Sequence, residues 1–360
     1  MEDSTASKDS RGKSFKRIRV RFARDLEVDF TGRISAIERV IKWGEEGMSQ
    51  PVVVFDPEGC GKSTWLRQTI EILKGMGYKA IYVNPTETSL VRFAYDEDLG
   101  EVVREAFKSV MGEAVPIAGV PVGRLAELAF EIVAMAVRRL SRTRIDVLVD
   151  EAFKAVGIRN ASLYVKSALN VMEHPKGGYD KLVAILTTSE GLSRSEVGRH
   201  RWADLVPMWN MSREDFRELY NKIPGEKPSF EEIWEWAGGN LWILRELYEA
   251  RWNVEEVVEK LIDGKRLDSF VRSLSSNDRR RLEKAIEDPD TLFNREGMPV
   301  LNRLVELNLA VDDIPSRKPS RWIDRPPPKK DLNIGIGEYV AWQTPLHREA
   351  LKRALKQIKT

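Results

Sequence analysis

Short, continuous apolar runs alternate with longer stretches of helical period through the first two hundred residues. PVVVF (51–55), YKAIYVN (78–84), IDVLVD (145–150), KLVAILTTS (181–189) and the shorter ADLVPMW (203–209) read as strands. They lack polar alternation, which predicts that both faces are covered, as in a parallel sheet with helices on each side. Helices are expected from Lys62 onward and, as a pair broken around Gly119–Gly123, over 96–141. Upstream, Arg17, Arg19 and Arg21 alternate with Ile18, Val20 and Phe22. That period of two predicts a short strand with one apolar and one cationic edge, either a nucleic-acid contact or a solvated edge.

The texture changes near Ser212. Residues 212–265 read as helices with a break at Gly238-Gly239, and helices are expected at 276–287, 298–308 and 345–358. Leu309–Val311 and Ile336–Trp342 read as two short strands. The expected organisation is an arm (1–24), an α/β core (25–211), a helical lid (212–265) and a winged-helix-like domain (266–360).

Composition narrows the class. The 360 residues exceed one ordinary core. Basic and acidic residues nearly balance, 58 against 56, so the surface is densely charged with a net charge of only +2. A single cysteine, Cys60, excludes a disulfide framework and a cysteine zinc site. The histidines, His174, His200 and His347, show no ligand spacing. There is no apolar signal core and no membrane-length run, so a reducing, cytoplasmic protein is expected.

Asp56-Pro-Glu-Gly-Cys-Gly-Lys-Ser63 lies between a buried strand and a helix, the context a phosphate-binding loop requires. Gly59 and Gly61 let the backbone curl so that successive N–H groups, Cys60 among them, face an anion. The helix start at Lys62-Ser63-Thr64 adds its positive end. Lys62 is expected on the β- and γ-phosphates of ATP or ADP, and Ser63 on Mg²⁺. Asp56 stands where such loops usually open with glycine; its carboxylate either weakens phosphate binding or turns outward to cap an amide.

Ile145–Asp150-Glu151 is an apolar strand ending in two acids. In a phosphate-loop fold this strand is expected beside the phosphate strand, with Asp150 in the Mg²⁺ shell and Glu151 as general base for water. Thr187-Thr188-Ser189 ends another strand, and Ser189 is a candidate sensor of the γ-phosphate. Arg199, in a loop with Arg194 and Arg201, is a candidate for stabilising transition-state charge or else a solvated residue.

Together these motifs resemble the archaeal P-loop ATPase family, a branch close to the AAA+ and STAND proteins. Phe30-Thr31-Gly32-Arg33 resembles the family's leading segment, which implies that Gly32 and Arg33 lie near the adenine. Gly198-Arg199 resembles its G-R pair before the last core strand. Ala237-Gly238-Gly239-Asn240-Leu241 resembles its lid motif, with leucine in place of proline, and places Gly239 at the nucleotide. The resemblance covers 28–250 and also implies a C-terminal winged helix.

Residues 315–330 carry Arg317, Lys318, Arg321, Arg325, Lys329 and Lys330 against one acid, Asp324. With helix 298–308, bearing Asn302 and Arg303, that pattern suits double-stranded DNA, although winged helices also bind proteins or their own copies. The expected function is an ATP-hydrolysing switch that moves the winged helix. The alternatives are a DNA-binding scaffold with a non-hydrolysing nucleotide site and a small-molecule kinase.

Overall fold

The computed structural model describes residues 6–8, 14–55, 57–84, 94–95, 105, 108–109, 131, 134–135, 143–153, 161–173, 179–189, 193–312 and 314–357. Asp56 and nearly all of the helix pair expected over 96–141 lie outside the described residues. The chain forms two compact units. One holds 1–18, 34–55 and 62–207; the other holds 19–33, 56–61 and 208–360.

The first unit is an α/β layer structure. After the small hairpin β1 (Ala6–Lys8) and β2 (Ser14–Lys16), its sheet comprises β5 (Val52–Phe55), β6 (Tyr78–Val83), β7 (Ala94–Tyr95), β8 (Arg144–Val149), β9 (Lys181–Thr187) and β10 (Asp204–Pro207). The spatial order is β10-β5-β9-β8-β6-β7. All neighbours are parallel except the two-residue edge strand β7. Helices α1 (Ile34–Glu46), α2 (Lys62–Gly75), α3 (Ala161–Glu173) and α4 (Ser193–Gly198) belong to this unit. As their unbroken apolar runs predict, β5 and β9 are buried along almost their whole length.

One expectation is corrected. The strand ending in Asp150 does not lie beside the phosphate strand; β9 is inserted between them, pairing Val52 with Ile185 and Ile145 with Leu182. A strand apolar on both faces takes a central place, because only there do two neighbours satisfy its backbone and two layers cover its side chains. The insertion brings the polar tip of β9 next to Asp150.

The second unit begins with the hairpin β3 (Arg19–Ala23) and β4 (Leu26–Asp29). Its cationic edge faces acids across the pair, Arg19 opposite Asp29 and Arg21 opposite Glu27; Arg19 lies 3.5 Å from the Glu27 carboxylate and Arg21 donates to the Arg24 carbonyl. Helices α5 (Arg213–Lys222), α6 (Phe230–Ala237), α7 (Leu241–Glu249), α8 (Val254–Gly264) and α9 (Leu267–Ser273) follow. Their starts carry side-chain caps from Ser212, Ser229 and Asn240, and Ser229 forms a reciprocal box with Glu232. Gly238 ends α6 in the left-handed conformation.

The C-terminal part has α10 (Ser276–Glu287), α11 (Met298–Glu306), the antiparallel pair β11 (Ala310–Val311) and β12 (Ala341–Trp342), and α12 (Pro345–Gln357). This is the helix and strand order of a winged helix. Trp209, Val311, Ile314, Trp322, Ile334, Ile336 and Ala341 form a core here, with Trp234 packed against it. The second wing strand is shorter than expected: Ile336 makes only isolated bridges, to Asp331 and Ala341. The reason is Asp290, whose carboxylate accepts from the N–H groups of Glu338, Tyr339 and Val340 and so replaces a strand partner. Burial pushes the Asp290 pKa up, but those amides and Lys330 together hold it below the usual range. Among the described residues no helix is long and apolar enough to cross a membrane.

Candidate functional site

The phosphate-type loop connects β5 to α2. Gly59 and Gly61 have φ of 75° and 101°, the left-handed region that favours glycine. Residues 56–61 of this loop belong to the second unit, and three of their successive carbonyls are held by donors within that unit. Asn240 Nδ2 donates to the Glu58 carbonyl at 2.8 Å, the Trp242 N–H to that of Gly59 at 3.1 Å, and Arg33 Nη2 to that of Cys60 at 2.6 Å. In a trans peptide the N–H points away from the preceding carbonyl. Fixing these oxygens therefore turns the amides of Gly59 and Gly61 away from those donors, while the Cys60 N–H reaches back to the Pro57 carbonyl at 3.4 Å.

A closed set of buried amides keeps Asn240 in place. Its Oδ1 caps the N–H groups of Trp242 and Ile243, and its Nδ2 also reaches Asn210 Oδ1 at 2.9 Å. Asn210 in turn donates to the Gln343 carbonyl, and Gln343 Oε1 accepts the Glu58 N–H at 2.9 Å. The fit is close: a Cβ at Gly59 would lie 2.5 Å from Trp242 Cβ, and one at Gly61 would lie 2.7 Å from Leu241 Cδ1. Leu241 thus fills the space above Gly61. Cys60 is fully buried, with Sγ near the Met208 carbonyl, consistent with a small filler residue.

In the first unit a second cluster sits at the C-terminal tips of β8 and β9. Asp150 is 2 % exposed. Its Oδ1 accepts from the Thr187 hydroxyl at 2.6 Å and its Oδ2 from the Tyr82 hydroxyl at 2.9 Å. Burial, then the neighbouring Asp150 carboxylate, push the Tyr82 pKa up and keep it a donor. Glu151 follows with φ of 49°, an uncommon conformation for a non-glycine residue. Its N–H is held by Thr187 Oγ1 at 3.2 Å, and the Ser189 hydroxyl lies 2.9 Å from both carboxylate oxygens. Lys62 and Ser63 open α2 in the same unit, and Lys62 is buried. The oxygen donors Ser63 and Asp150 suit a hard cation such as Mg²⁺.

A family described as an ATPase domain predominantly from Archaea matches residues 30–247. The chain belongs to this family. Among solved structures it is similar to the Walker-type ATPase paby2304 of Pyrococcus abyssi, with 15% identity over 92% of this chain and 97% of that one and a TM-score of 0.46. It is also similar to Cdc6p of Pyrobaculum aerophilum, with 12% identity, coverage of 95% and 99% and a TM-score of 0.40. For the Aeropyrum pernix ORC1 protein, solved in complex with DNA, the values are 16%, 91% and 93%, and 0.38. Comparison with curated proteins gives no match.

Within this member of the archaeal ATPase family, the Ser189 hydroxyl bonds Glu151, the residue after Asp150. Thr64 lies in the first turn of α2, half-buried. Arg199 is exposed and paired with Glu196 at 3.0 Å. The Arg194 side chain lies outside the described residues. Gly32 is left-handed against Asp215, and the Arg33 guanidinium is committed to Cys60 and Asp324. Gly239 is used for close approach to Met211, whose N–H donates to its carbonyl at 3.0 Å. Of the polar strand tip Thr187-Thr188-Ser189 read from the chain, it is Thr187 that bonds Asp150, while Tyr82, Asn210, Gln343 and Asp324 have no such reading. Tyr82, at the end of an apolar strand, carried a comparable signal.

His347, near Trp242, is buried beside the Thr344 hydroxyl. Burial, and secondarily Lys265, push its pKa down to about 3. An unfolded histidine titrates near 6.5, so between these values the unfolded chain binds a proton that the folded chain refuses. Stability contributed by this neutral ring is therefore full above about pH 6.5 and is lost on acidification. Melting curves should show the wild type losing roughly 3 kcal/mol more than His347→Gln between pH 7 and pH 4. Parallel pH slopes for the two proteins would rule out a neutral buried ring.

Proposed function

We propose that this chain is a Mg²⁺-dependent ATPase that works as a switch, with nucleotide state read out by its C-terminal winged helix. The observation that carries this reading is the Asp150–Glu151 tip, with Asp150 fixed by two hydroxyls and Glu151 oriented by Ser189. In this reading the amides of Gly59 and Gly61 and the Lys62 ammonium grip the phosphates, the Cys60 amide joins them only by leaving the Pro57 carbonyl, and Ser63 and Asp150 hold Mg²⁺. The ion, when bound, neutralises phosphate charge. Glu151 accepts the proton of the attacking water, and Ser189 keeps its carboxylate in one orientation. Water as acceptor distinguishes the reading from a kinase.

The readout would be duplex DNA or a protein partner. Three of the six cations in 315–330 are engaged internally: Arg317 with the Gly337 and Glu338 carbonyls, Arg325 with Glu214, and Lys330 with Asp288 and Asp290. Arg303 on α11 donates to Ser273 and lies over the Phe270 ring. Exposed Lys318, Arg321 and Lys329 supply the remaining charge of the stretch.

One experiment covers both parts. Phosphate release from ATP by the full chain is measured with Mg²⁺ or with chelator, and DNA binding is followed through a salt series. Release is expected with Mg²⁺ alone and without an added acceptor. DNA affinity should fall with a log–log salt slope of about −2 to −3 for those three cations. Retention of ATP without phosphate release would leave a non-hydrolysing site, and binding indifferent to salt would remove DNA as the partner.

A further inference from the structure

Arg33 and Asp324 are separated by 291 residues yet form a buried ion pair, Nη1 to Oδ2 at 3.0 Å, with side chains 3% and 2% exposed. The other arm of the same guanidinium, Nη2, donates to the Cys60 carbonyl at 2.6 Å. Burying two charges costs several kcal/mol per ion unless geometry and further hydrogen bonds offset it. Here the second hydrogen bond goes to the phosphate-type loop. Arg33 itself sits at φ of 60°, and its N–H is received by Asp215 Oδ2 at 3.3 Å, so the backbone that aims the guanidinium is also pinned.

We infer that Asp324 and Arg33 are positioning residues of the nucleotide site, with Asp324 acting on the loop through Arg33. The inference rests on the nucleotide-binding reading above. Asp324 fixes the rotation of the guanidinium plane. The guanidinium fixes the Cys60 carbonyl, and the rigid peptide then turns the Gly61 amide to the far side. The other two loop carbonyls are held by Asn240 and Trp242, and Arg33 holds the third. Gly61 adjoins Lys62, where the loop enters α2, and a rotated peptide there would present an oxygen to phosphate in place of a hydrogen.

This gives Asp324 a use different from its surroundings. It is the one acid in a stretch whose cations suggested a wing on DNA, and it lies with Trp322 and Ile323 in the buried part of that stretch. Through Arg33, a residue of the C-terminal part thus bears on the phosphate-type loop.

The test uses the full chain and measures the Kd for Mg²⁺–ATP and the Tm without nucleotide. The variants are Asp324→Asn, which keeps shape and removes charge, and Arg33→Lys, whose compact ammonium cannot serve Asp324 and Cys60 in the same bidentate manner. Expected is a loss of ATP affinity of about tenfold or more in both, on top of a lower nucleotide-free Tm, since Asp324→Asn leaves the buried Arg33 charge without its partner. Adenosine, which has no phosphate to grip, should bind each variant as it binds wild type. Unchanged ATP affinity in both variants would overturn the inference while leaving the nucleotide reading intact. So would a fall in Tm with ATP and adenosine weakened alike, the behaviour of a pair that only holds the fold. If one variant fails to fold, the other decides; if both fail, the pair is structural and the inference is wrong. Absence of ATP binding by the wild type would instead remove the underlying nucleotide reading.

Discussion

Alanine at Lys62 is expected to abolish ATP binding and turnover together, whereas glutamine at Glu151 is expected to leave ATP bound and unhydrolysed. Lys62 is the first residue of α2 and is buried, at the positive end of the helix where an anionic ligand is favoured. Removing a charge-assisted contact to phosphate weakens binding by about two orders of magnitude. Glu151→Gln differs in kind. The Ser189 hydroxyl both donates and accepts, so it can hold an amide where it now holds a carboxylate at 2.9 Å. The local geometry survives and only the proton acceptor is lost, which should lower phosphate release by about 10²-fold or more. Equilibrium binding of labelled ATP and single-turnover phosphate release separate the two outcomes. Turnover by Glu151→Gln within a few-fold of wild type would dismiss Glu151 as the base.

The second large effect is on stability. Gly239 has φ of 84°, and an added Cβ would fall well inside contact distance of the Met211 carbonyl oxygen, an atom of the backbone that cannot rotate away. Gly239→Ala should therefore cost about 3 kcal/mol or more, from left-handed strain and a backbone clash together, and lower the Tm by roughly 5–10 °C. Gly225 provides the control. Its φ of 87° is similar but nothing lies within 4 Å of an added Cβ, so Gly225→Ala carries the strain alone and should cost about 1 kcal/mol. Equal losses in the two variants would show that the approach to Met211 is not tight. The Gly238-Gly239 pair is thus a packed turn as well as a helix break: a Cβ at Gly238 would meet the Pro345 ring at 2.8 Å.

Local signals carried much of what the chain revealed in advance. The five apolar strands appear within one or two residues of their expected ends, because runs such as KLVAILT have no stable exposed face in any arrangement. Helix 276–287 begins and ends as read, fixed at its start by the Ser275 cap. The phosphate-type loop was legible because left-handed glycines and a helix start need particular residue types at fixed spacing. The shortened wing strand was not legible, since its loss of pairing comes from Asp290, some fifty positions away.

By itself, then, the order of residues determined which segments are strands or helices, where the loop of glycines and Lys62 falls, and that two acids end a buried strand. Each of these depends on neighbours within about a turn or a pleat. Tertiary structure alone decided that β9 separates the phosphate strand from the acidic strand, that Thr187 and Tyr82 fix Asp150, and that Asp324 steers Arg33 onto the Cys60 carbonyl. Strand order and buried polar pairing are set by which distant groups satisfy one another once water is excluded, and no periodicity along the chain encodes that choice.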